Sequence, residues 1–352
     1  MDIAYTNARI RGFRARLLDR EDYRSLMEAR SIEECLELLR AGYYGVDLDR
    51  ASVRFKDAYQ IIDHALTENT NTQIASLWKM IPERLHPHLR AFLYPWDGYN
   101  IKAIIRAIVK GADRDRLLDS LLPTGRLSQV VLRELATSHN LDELAIRLAM
   151  LREPLARVLK RALKTYRAHK SLFTVEFSID KYVLTEPLKM LKGGDIDTLI
   201  TRRVLAERID AFNILTLFKI HREDYREEEI EPFFIEGGRN MGKELFKRLA
   251  TIKEREELFK ELVEGIKGRT LKELFSPLYA DQPWILEEKL EELQMRRLLR
   301  EAVKEPLTIA LLLEYVYRKL REVKNIRLIL RGKMSGMPES KIREAFIEPW
   351  QA

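Results

Sequence analysis

The sequence predicts an all-α protein made of three related helical modules. Apolar residues follow the helical period along most of the chain. In the isoleucine stripe from Ile101 to Ile108 they recur at i, i+3, i+4 and i+7. The β-rich runs at 173–177 and 233–235 are short and lack alternating partners, which argues against a sheet. One block of sequence also returns twice more at nearly constant spacing, and this periodicity indicates a repeat protein.

The repeated block reads WDGYNIKAIIR at 96–106, RIDAFNILTLFK at 208–219 and REVKNIRLILR at 321–331. Each copy carries an acid, an asparagine, an apolar stripe and a base at matching positions. Three columns recur at nearly equal intervals, namely Asp97, Asp210 and Glu322; Asn100, Asn213 and Asn325; Arg106, Lys219 and Arg331. We therefore predict helical repeats at 1–122, 123–238 and 239–352, arranged with pseudo-threefold symmetry.

Columns outside the block keep the same spacing, so the repeat is longer than one short motif. Gly125 and Arg126 recur as Gly238 and Arg239. An apolar pair recurs in all three copies, as Leu121-Leu122, Phe234-Ile235 and Phe346-Ile347. So many aligned columns argue against a chance origin and for one module used three times.

Helix starts repeat as well. Ser31 with Glu34, and Asn140 with Glu143, have the form of a helix capping box, and the two boxes occupy equivalent places in successive copies. The loops are short and contain Gly or Pro, and no long linker separates the modules, so we expect the modules to pack directly on one another. Pro95 predicts that the helix of the first copy bends or restarts just before its acid, because proline disrupts a helix interior.

The tripled asparagine has two interpretations. At 100° per residue, Asn100 lies about 90° from the centre of the isoleucine stripe, at its flank, and Arg106 faces outward. In the structural interpretation, which we favour, the asparagine bonds a neighbouring helix and fixes axial register, with the repeated acids as candidate partners. In the functional interpretation, the asparagines and bases line a shared internal surface around the pseudo-threefold axis. The structural or interface candidates are therefore Asn100, Asn213, Asn325, Arg106, Lys219 and Arg331.

Composition describes an ordinary globular protein. With 46% hydrophobic residues, the chain of 352 residues has enough apolar material for a sizeable core. No apolar run approaches the roughly 20 residues that a membrane helix needs, and the N-terminus lacks the apolar centre of a signal peptide. The single cysteine, Cys35, excludes an intrachain disulfide and suits a reducing compartment. The expected location is the cytoplasm.

The net charge of +7 suits either nucleic acid or an anionic membrane surface. Charges of both signs alternate along helical faces, as at 253–262, so most of the charge is expected on a solvated surface. A basic helical-repeat module for nucleic acid is the alternative function. It would need Lys and Arg gathered on one face with stacking aromatics, and no such face is evident from the spacing.

No catalytic, cofactor or metal site is predicted. The segment GGRNMGKE at 237–244 resembles a phosphate-binding loop, but Glu244 stands where Ser or Thr would hold Mg²⁺, and no strand of a parallel sheet is predicted before it. His86 and His88 flank a proline with no third ligand in a metal-site pattern. No Ser-His-Asp or Cys-His grouping occurs with a recognisable elbow.

Four stretches together resemble a known family. They are AYTNARIRGFRARLL at 4–18, SIEECLELLRAGYYG at 31–45, the tripled acid-x-x-Asn block, and LRGKMSGMPESKIREAFI at 330–347. The chain resembles the C subunit of archaeal/vacuolar-type ATPases, which is related to the eukaryotic d subunit. The likeness covers essentially the whole sequence, and its specificity comes from three copies in order.

The resemblance implies a funnel-shaped, non-catalytic subunit of the central stalk of a rotary ATPase or ATP synthase. Such a subunit is a socket that turns with the rotor and couples ATP hydrolysis or synthesis to proton or sodium transport. The implied partners are the rotor shaft subunits and the membrane proteolipid ring, with phospholipid headgroups beside it and no nucleic acid. The implied location is peripheral, at the cytoplasmic face of a membrane. The resemblance implies no cofactor.

Overall fold

The computed structural model describes residues 2–112, 114, 117–118, 121–169, 171–222, 230–267 and 283–346. Every regular element in these ranges is helical, which confirms the all-α prediction. The α-helices are α1 Ile3–Arg14, α2 Arg20–Glu28, α3 Ile32–Ala41, α4 Gly45–Arg54, α5 Ala58–Met80, α6 His86–Lys110, α7 Gln129–Leu135, α8 Leu141–Met150, α9 Leu155–His169, α10 Leu172–Met190, α11 Ile196–Arg222, α12 Lys243–Ala250, α13 Arg255–Gly265, α14 Pro283–Lys304, α15 Ala310–Met334 and α16 Glu339–Ala345. None of the helices in the described ranges is long and apolar enough to cross a bilayer.

The chain divides into two compact units. The first contains residues 1–180 and 311–352, and the second contains residues 181–310. The borders fall within α10 and near the start of α15, and therefore differ from the borders of the sequence repeats. The threefold division of the sequence and its pseudo-threefold arrangement stay predictions.

The third repeat helix belongs to the core of the first unit. Tyr23, Leu26 and Leu39 from the N-terminal helices share one apolar cluster with Ile326 and Leu330 of α15. The two ends of the chain therefore form one hydrophobic core. This arrangement stabilises α15, whose charged side chains would otherwise suit a solvated helix.

Helix α6 runs without a break through Pro95. The helix therefore does not restart before its acid, and a bend at Pro95 stays a prediction. The apolar side chains on both sides of the proline, 91–94 and 101–105, are largely buried. Burial of that surface offsets the missing backbone hydrogen bond, because helices in proteins are stabilised mainly by tertiary packing.

The two predicted helix starts are confirmed. The Ser31 hydroxyl accepts a hydrogen bond from the Glu34 amide at 3.2 Å, and Asn140 Oδ1 accepts one from the Glu143 amide at 2.9 Å. In both cases the glutamate carboxylate accepts the amide of the residue before the cap, at 2.7 and 2.9 Å. Helices α3 and α8, from successive copies, thus begin in the same way.

Candidate functional site

The asparagines of the first two copies make the same contact. Asn100 Nδ2 donates to the Leu122 carbonyl at 2.8 Å, while its Oδ1 accepts from the Leu122 amide at 2.8 Å. Asn213 forms the same pair of bonds with Ile235, at 2.8 and 3.0 Å. Both side chains are fully buried, so these asparagines lie inside the core and not at its flank. Each asparagine holds the backbone of a later segment at the same distance along the chain.

The third asparagine, Asn325 on α15, is equally buried, with 2% of its surface exposed. The position equivalent to Leu122 and Ile235 is Ile347, which lies outside the described residues. The corresponding contact between Asn325 and Ile347 therefore stays a prediction. Complete burial favours a structural role for this column, and an interface role would require a side chain that a partner can reach.

The repeated acids bind a second point on the same connecting segments. Asp97 accepts the amides of Arg126 and Leu127 at 2.8 and 3.0 Å. Asp210 accepts the amides at 239, 240 and 241 at 2.9–3.1 Å, and the side-chain amide of Asn240 at 2.7 Å. The acids are therefore not the partners of the asparagines. Acid and asparagine bind separate backbone groups and hold the start of the next pair of helices in two places.

The recurring glycine is explained by the same contact. A Cβ at Gly125 would lie 2.3 Å from Asp97 Oδ1, and a Cβ at Gly238 would lie 2.3 Å from Asp210 Oδ1. Only glycine leaves room for the carboxylate beside the backbone. The Gly-Arg column of the sequence therefore marks the place where the carboxylate packs against the backbone.

The acid of the third copy contacts the segment between α1 and α2, near the beginning of the chain. Glu322 accepts the Leu18 amide at 2.5 Å, the Tyr44 hydroxyl at 2.6 Å and Lys319 Nζ at 2.8 Å. Leu18, like Leu127, stands directly before the N-cap residue of the next helix. The acid of the last copy thus binds the segment that leads into the first helix pair.

Burial raises the pKa of two of these acids. The pKa of Asp97 is raised to about 6, because removal from water outweighs the hydrogen bonds from the Leu127 and Arg126 amides. The pKa of Asp210 is also raised, again by burial, against the amides at 239–241 and the Asn240 side chain. Asp97 therefore keeps its proton to a higher pH than an exposed aspartate does.

The repeated bases are all exposed but differ in their contacts. Arg106 forms a bidentate ion pair with Glu176 of α10, at 2.6 and 2.7 Å. Arg331 Nε donates to a tyrosine hydroxyl at 3.3 Å, and Lys219 lies 5.9 Å from the centroid of a phenylalanine ring. That these three bases line a shared internal surface around the pseudo-threefold axis stays a prediction.

The segment that resembles a phosphate-binding loop has another architecture. Residues Glu231–Phe233 before it form a 3₁₀ turn and not a strand. Lys243, at the start of α12, pairs with Glu231, which also pairs with Lys247 at 2.7 Å. In the described ranges no three His, Cys, Asp or Glu side chains are placed to share a metal ion.

One charged surface was not recognised from the sequence. Helix α9 has no acidic residue, and its apolar face, which includes Leu159, is buried. Its exposed side bears five bases, Arg157, Lys160, Arg161, Lys164 and Arg167. We call these five residues the α9 basic face. The gathering of bases on one face was missed, although its signal was the helical spacing of bases in LARVLKRALKTYR. The exposed stacking aromatics that a nucleic-acid face would also need are not part of it.

Most of the α9 basic face is unpaired. Arg167 lies 2.5 Å from Asp142 of α8, and both side chains are exposed. The other four bases form no ion pair with a carboxylate in the part of the chain that the structure describes. A helix of this kind is typical of a surface that attracts anions.

Comparison with known proteins agrees with the resemblance. The chain is 26% identical over 359 residues to the C subunit of the A-type ATP synthase of Methanococcoides burtonii, covering 98% of this chain and 94% of that protein. It is 29% identical over 352 residues to the C subunit of the V-type ATP synthase of Thermus thermophilus, covering 99% of each. A sequence model described as ATP synthase (C/AC39) subunit matches residues 6–345. Because that match spans nearly the whole chain, the protein belongs to the ATP synthase (C/AC39) subunit family.

Proposed function

We propose that the chain is a non-catalytic subunit of the rotor of an A-type or V-type ATP synthase. In this role it is the socket between the rotor shaft and the membrane proteolipid ring, and it couples ATP hydrolysis or synthesis to proton or sodium transport. The observation that carries the proposal is the family match over residues 6–345, supported by relatives that are named as C subunits and match along almost their whole length. The pseudo-threefold arrangement and the funnel shape belong to this proposal.

The interior of the first unit supports a role in transmitting torque. Helix α15 is joined to its neighbours by buried polar contacts as well as by apolar packing. Arg327 Nε donates to Asp63 at 2.7 Å, and its Nη2 donates to Thr67 at 2.9 Å. Satisfied buried networks hold side chains in one arrangement, and closely packed interiors transmit strain. A subunit that passes rotation from one partner to another requires this stiffness.

The α9 basic face supports a contact with phospholipid headgroups. Its apolar side is already packed in the protein, so it is suited to adsorb on an anionic surface without inserting. Basic residues near such a surface contribute about 1 kcal/mol each. Nucleic acid is less suited as a partner, because Tyr166, the one aromatic residue of α9, is only partly exposed. The family match also does not favour nucleic-acid binding.

The socket role is tested by omitting the chain from a reconstituted ATPase complex in proteoliposomes. We expect ATP hydrolysis by the soluble head to remain largely intact, while ATP-driven ion pumping is abolished and returns when the chain is added. A complex with pumping that persists without the chain, or with head hydrolysis that disappears, would contradict the proposal.

The headgroup contact has its own test, so that its failure leaves the socket role standing. We expect the triple variant Lys160→Gln, Arg161→Gln, Lys164→Gln to bind vesicles of anionic phospholipid about 100-fold more weakly, since three bases contribute about 3 kcal/mol. The matched control removes three exposed but paired bases, Arg24, Lys341 and Arg343. Cosedimentation at several salt concentrations measures the difference, and an equal loss in both variants would contradict it.

A further inference from the structure

The first unit contains a cavity that the proposed function does not use. Its volume is about 290 Å³, and its wall includes the end of α4, one side of α5, the start of α7, and the side chains of Leu118, Leu121 and Pro123. Arg54, Gln60, His64 and Arg133 supply polar groups, beside apolar side chains such as Phe55. This volume lies just below the range of about 300–1,000 Å³ for ligand pockets, which favours a small ligand.

Two arginines from different helices face this cavity without a carboxylate partner. Neither Arg54 of α4 nor Arg133 of α7 forms an ion pair within the described ranges of the chain. The Arg54 guanidinium lies 5.3 Å from the centroid of the Phe55 ring, and that ring lies 5.0 Å from the His64 ring. Two like charges beside one cavity repel each other, and an anion between them would offset that repulsion.

A carboxylate of α5 acts on His64 and is hydrogen-bonded to a residue that lines the cavity. Glu68, one turn after His64 on α5, accepts a hydrogen bond from Gln129 Nε2 at 2.7 Å. Burial lowers the pKa of His64 and outweighs the charge of Glu68, which raises it. The charges of Arg54 and Arg133 lower it further, against Asp63. A lowered pKa favours the neutral imidazole, which can either donate or accept a hydrogen bond.

We propose that this cavity binds a small dianionic oxyanion, a phosphate group, between the guanidinium groups of Arg54 and Arg133. Guanidinium groups match the geometry of phosphate oxygens and bind them in a bidentate manner. His64 and Gln60 offer hydrogen bonds to the remaining oxygens. The phosphate group would come from inorganic phosphate or from the end of a nucleotide whose remainder stays outside. This site shares no residue with the segment at 237–244.

Calorimetry with the full-length chain tests the site at constant ionic strength. Inorganic phosphate and ADP are titrated separately, with chloride as the reference anion. We expect saturable binding of at least one of them, weakened at least tenfold in Arg54→Gln/Arg133→Gln. The control Arg90→Gln/Arg300→Gln removes two exposed arginines that form no ion pair within the described ranges and do not line the cavity, and it should bind as the unmodified chain does. Binding of phosphate assigns free phosphate as the source, and binding of ADP alone assigns the nucleotide.

The titration of His64 gives a second readout that does not depend on affinity. Its NMR signal is assigned with His64→Asn and followed against pH with and without sulfate, which keeps two negative charges over the range. We expect sulfate to raise the pKa of His64 in the unmodified chain but not in Arg54→Gln/Arg133→Gln. In that double variant the pKa should already be higher without ligand. No saturable binding of either phosphate or ADP, or no response of His64, would overturn the proposal.

Discussion

Replacing Lys319 by methionine should lower the free energy of unfolding by about 3–5 kcal/mol, because the substitution leaves a buried carboxylate without its cation. Lys319 and Glu322 have side-chain exposures of only 2% and 3%. Lys319 Nζ lies 2.8 Å from Glu322 Oε1 and 2.7 Å from the Tyr44 hydroxyl, and 4.5 Å from the centroid of the Tyr44 ring. Methionine has a similar volume but supplies no charge or donor.

The effect should reach the beginning of the chain, since Glu322 also accepts the Leu18 amide. We expect the double variant Lys319→Met/Glu322→Gln to lose less stability than the sum of the single variants, because no unpaired charge remains. Denaturant unfolding measures the stability of the single and double variants. Hydrogen exchange of the Leu18 amide reports on its contact with Glu322. The control Lys341→Met breaks an exposed pair with Glu344 and should change stability by less than about 0.5 kcal/mol. Equal effects at 319 and 341 would contradict the prediction.

Replacing Asp210 by alanine should destabilise the chain by at least about 3 kcal/mol, since each buried donor left without an acceptor costs about 1–3 kcal/mol and three buried donors bind this carboxylate. Three backbone amides, at 239–241, and one side-chain amide bind this carboxylate. Asp97 binds only two amides. Asp97→Ala should therefore cost less than Asp210→Ala.

Two further variants test whether the contact of the Asp210 carboxylate with the backbone is the cause of the lost stability. Gly238→Ala should destabilise in the same direction, because its Cβ would meet the Asp210 carboxylate. Asp142→Ala removes an exposed aspartate whose partner, Arg167, is also exposed, and should be nearly neutral. The measurement is the melting temperature of each full-length variant. If Asp210→Ala has the same melting temperature as Asp142→Ala, the Asp210 carboxylate does not hold the segment at 239–241.

The sequence alone determined the local structure and the repeat. The helical period identified an all-α fold because the spacing of apolar residues depends only on neighbours within two turns. The caps at Ser31 and Asn140 were predicted correctly for the same reason, since a cap bonds amides within the first turn. The columns of asparagines, acids and glycines also indicated positions with the same role in each copy. A recurring residue type indicates such a role even when its contact is not known.

Tertiary structure alone decided what those columns contact. Asn100 and Asp97 bind backbone groups 22 to 30 residues away, and no local pattern encodes which loop will reach them. The contact from Glu322 to Leu18 spans 304 residues, so only folding shows that the last acid binds the first connecting segment. The helix through Pro95 likewise depends on burial on both sides, a long-range effect that overrides local propensity. Backbone hydrogen bonds between distant segments are set by packing, and packing is a property of the whole chain.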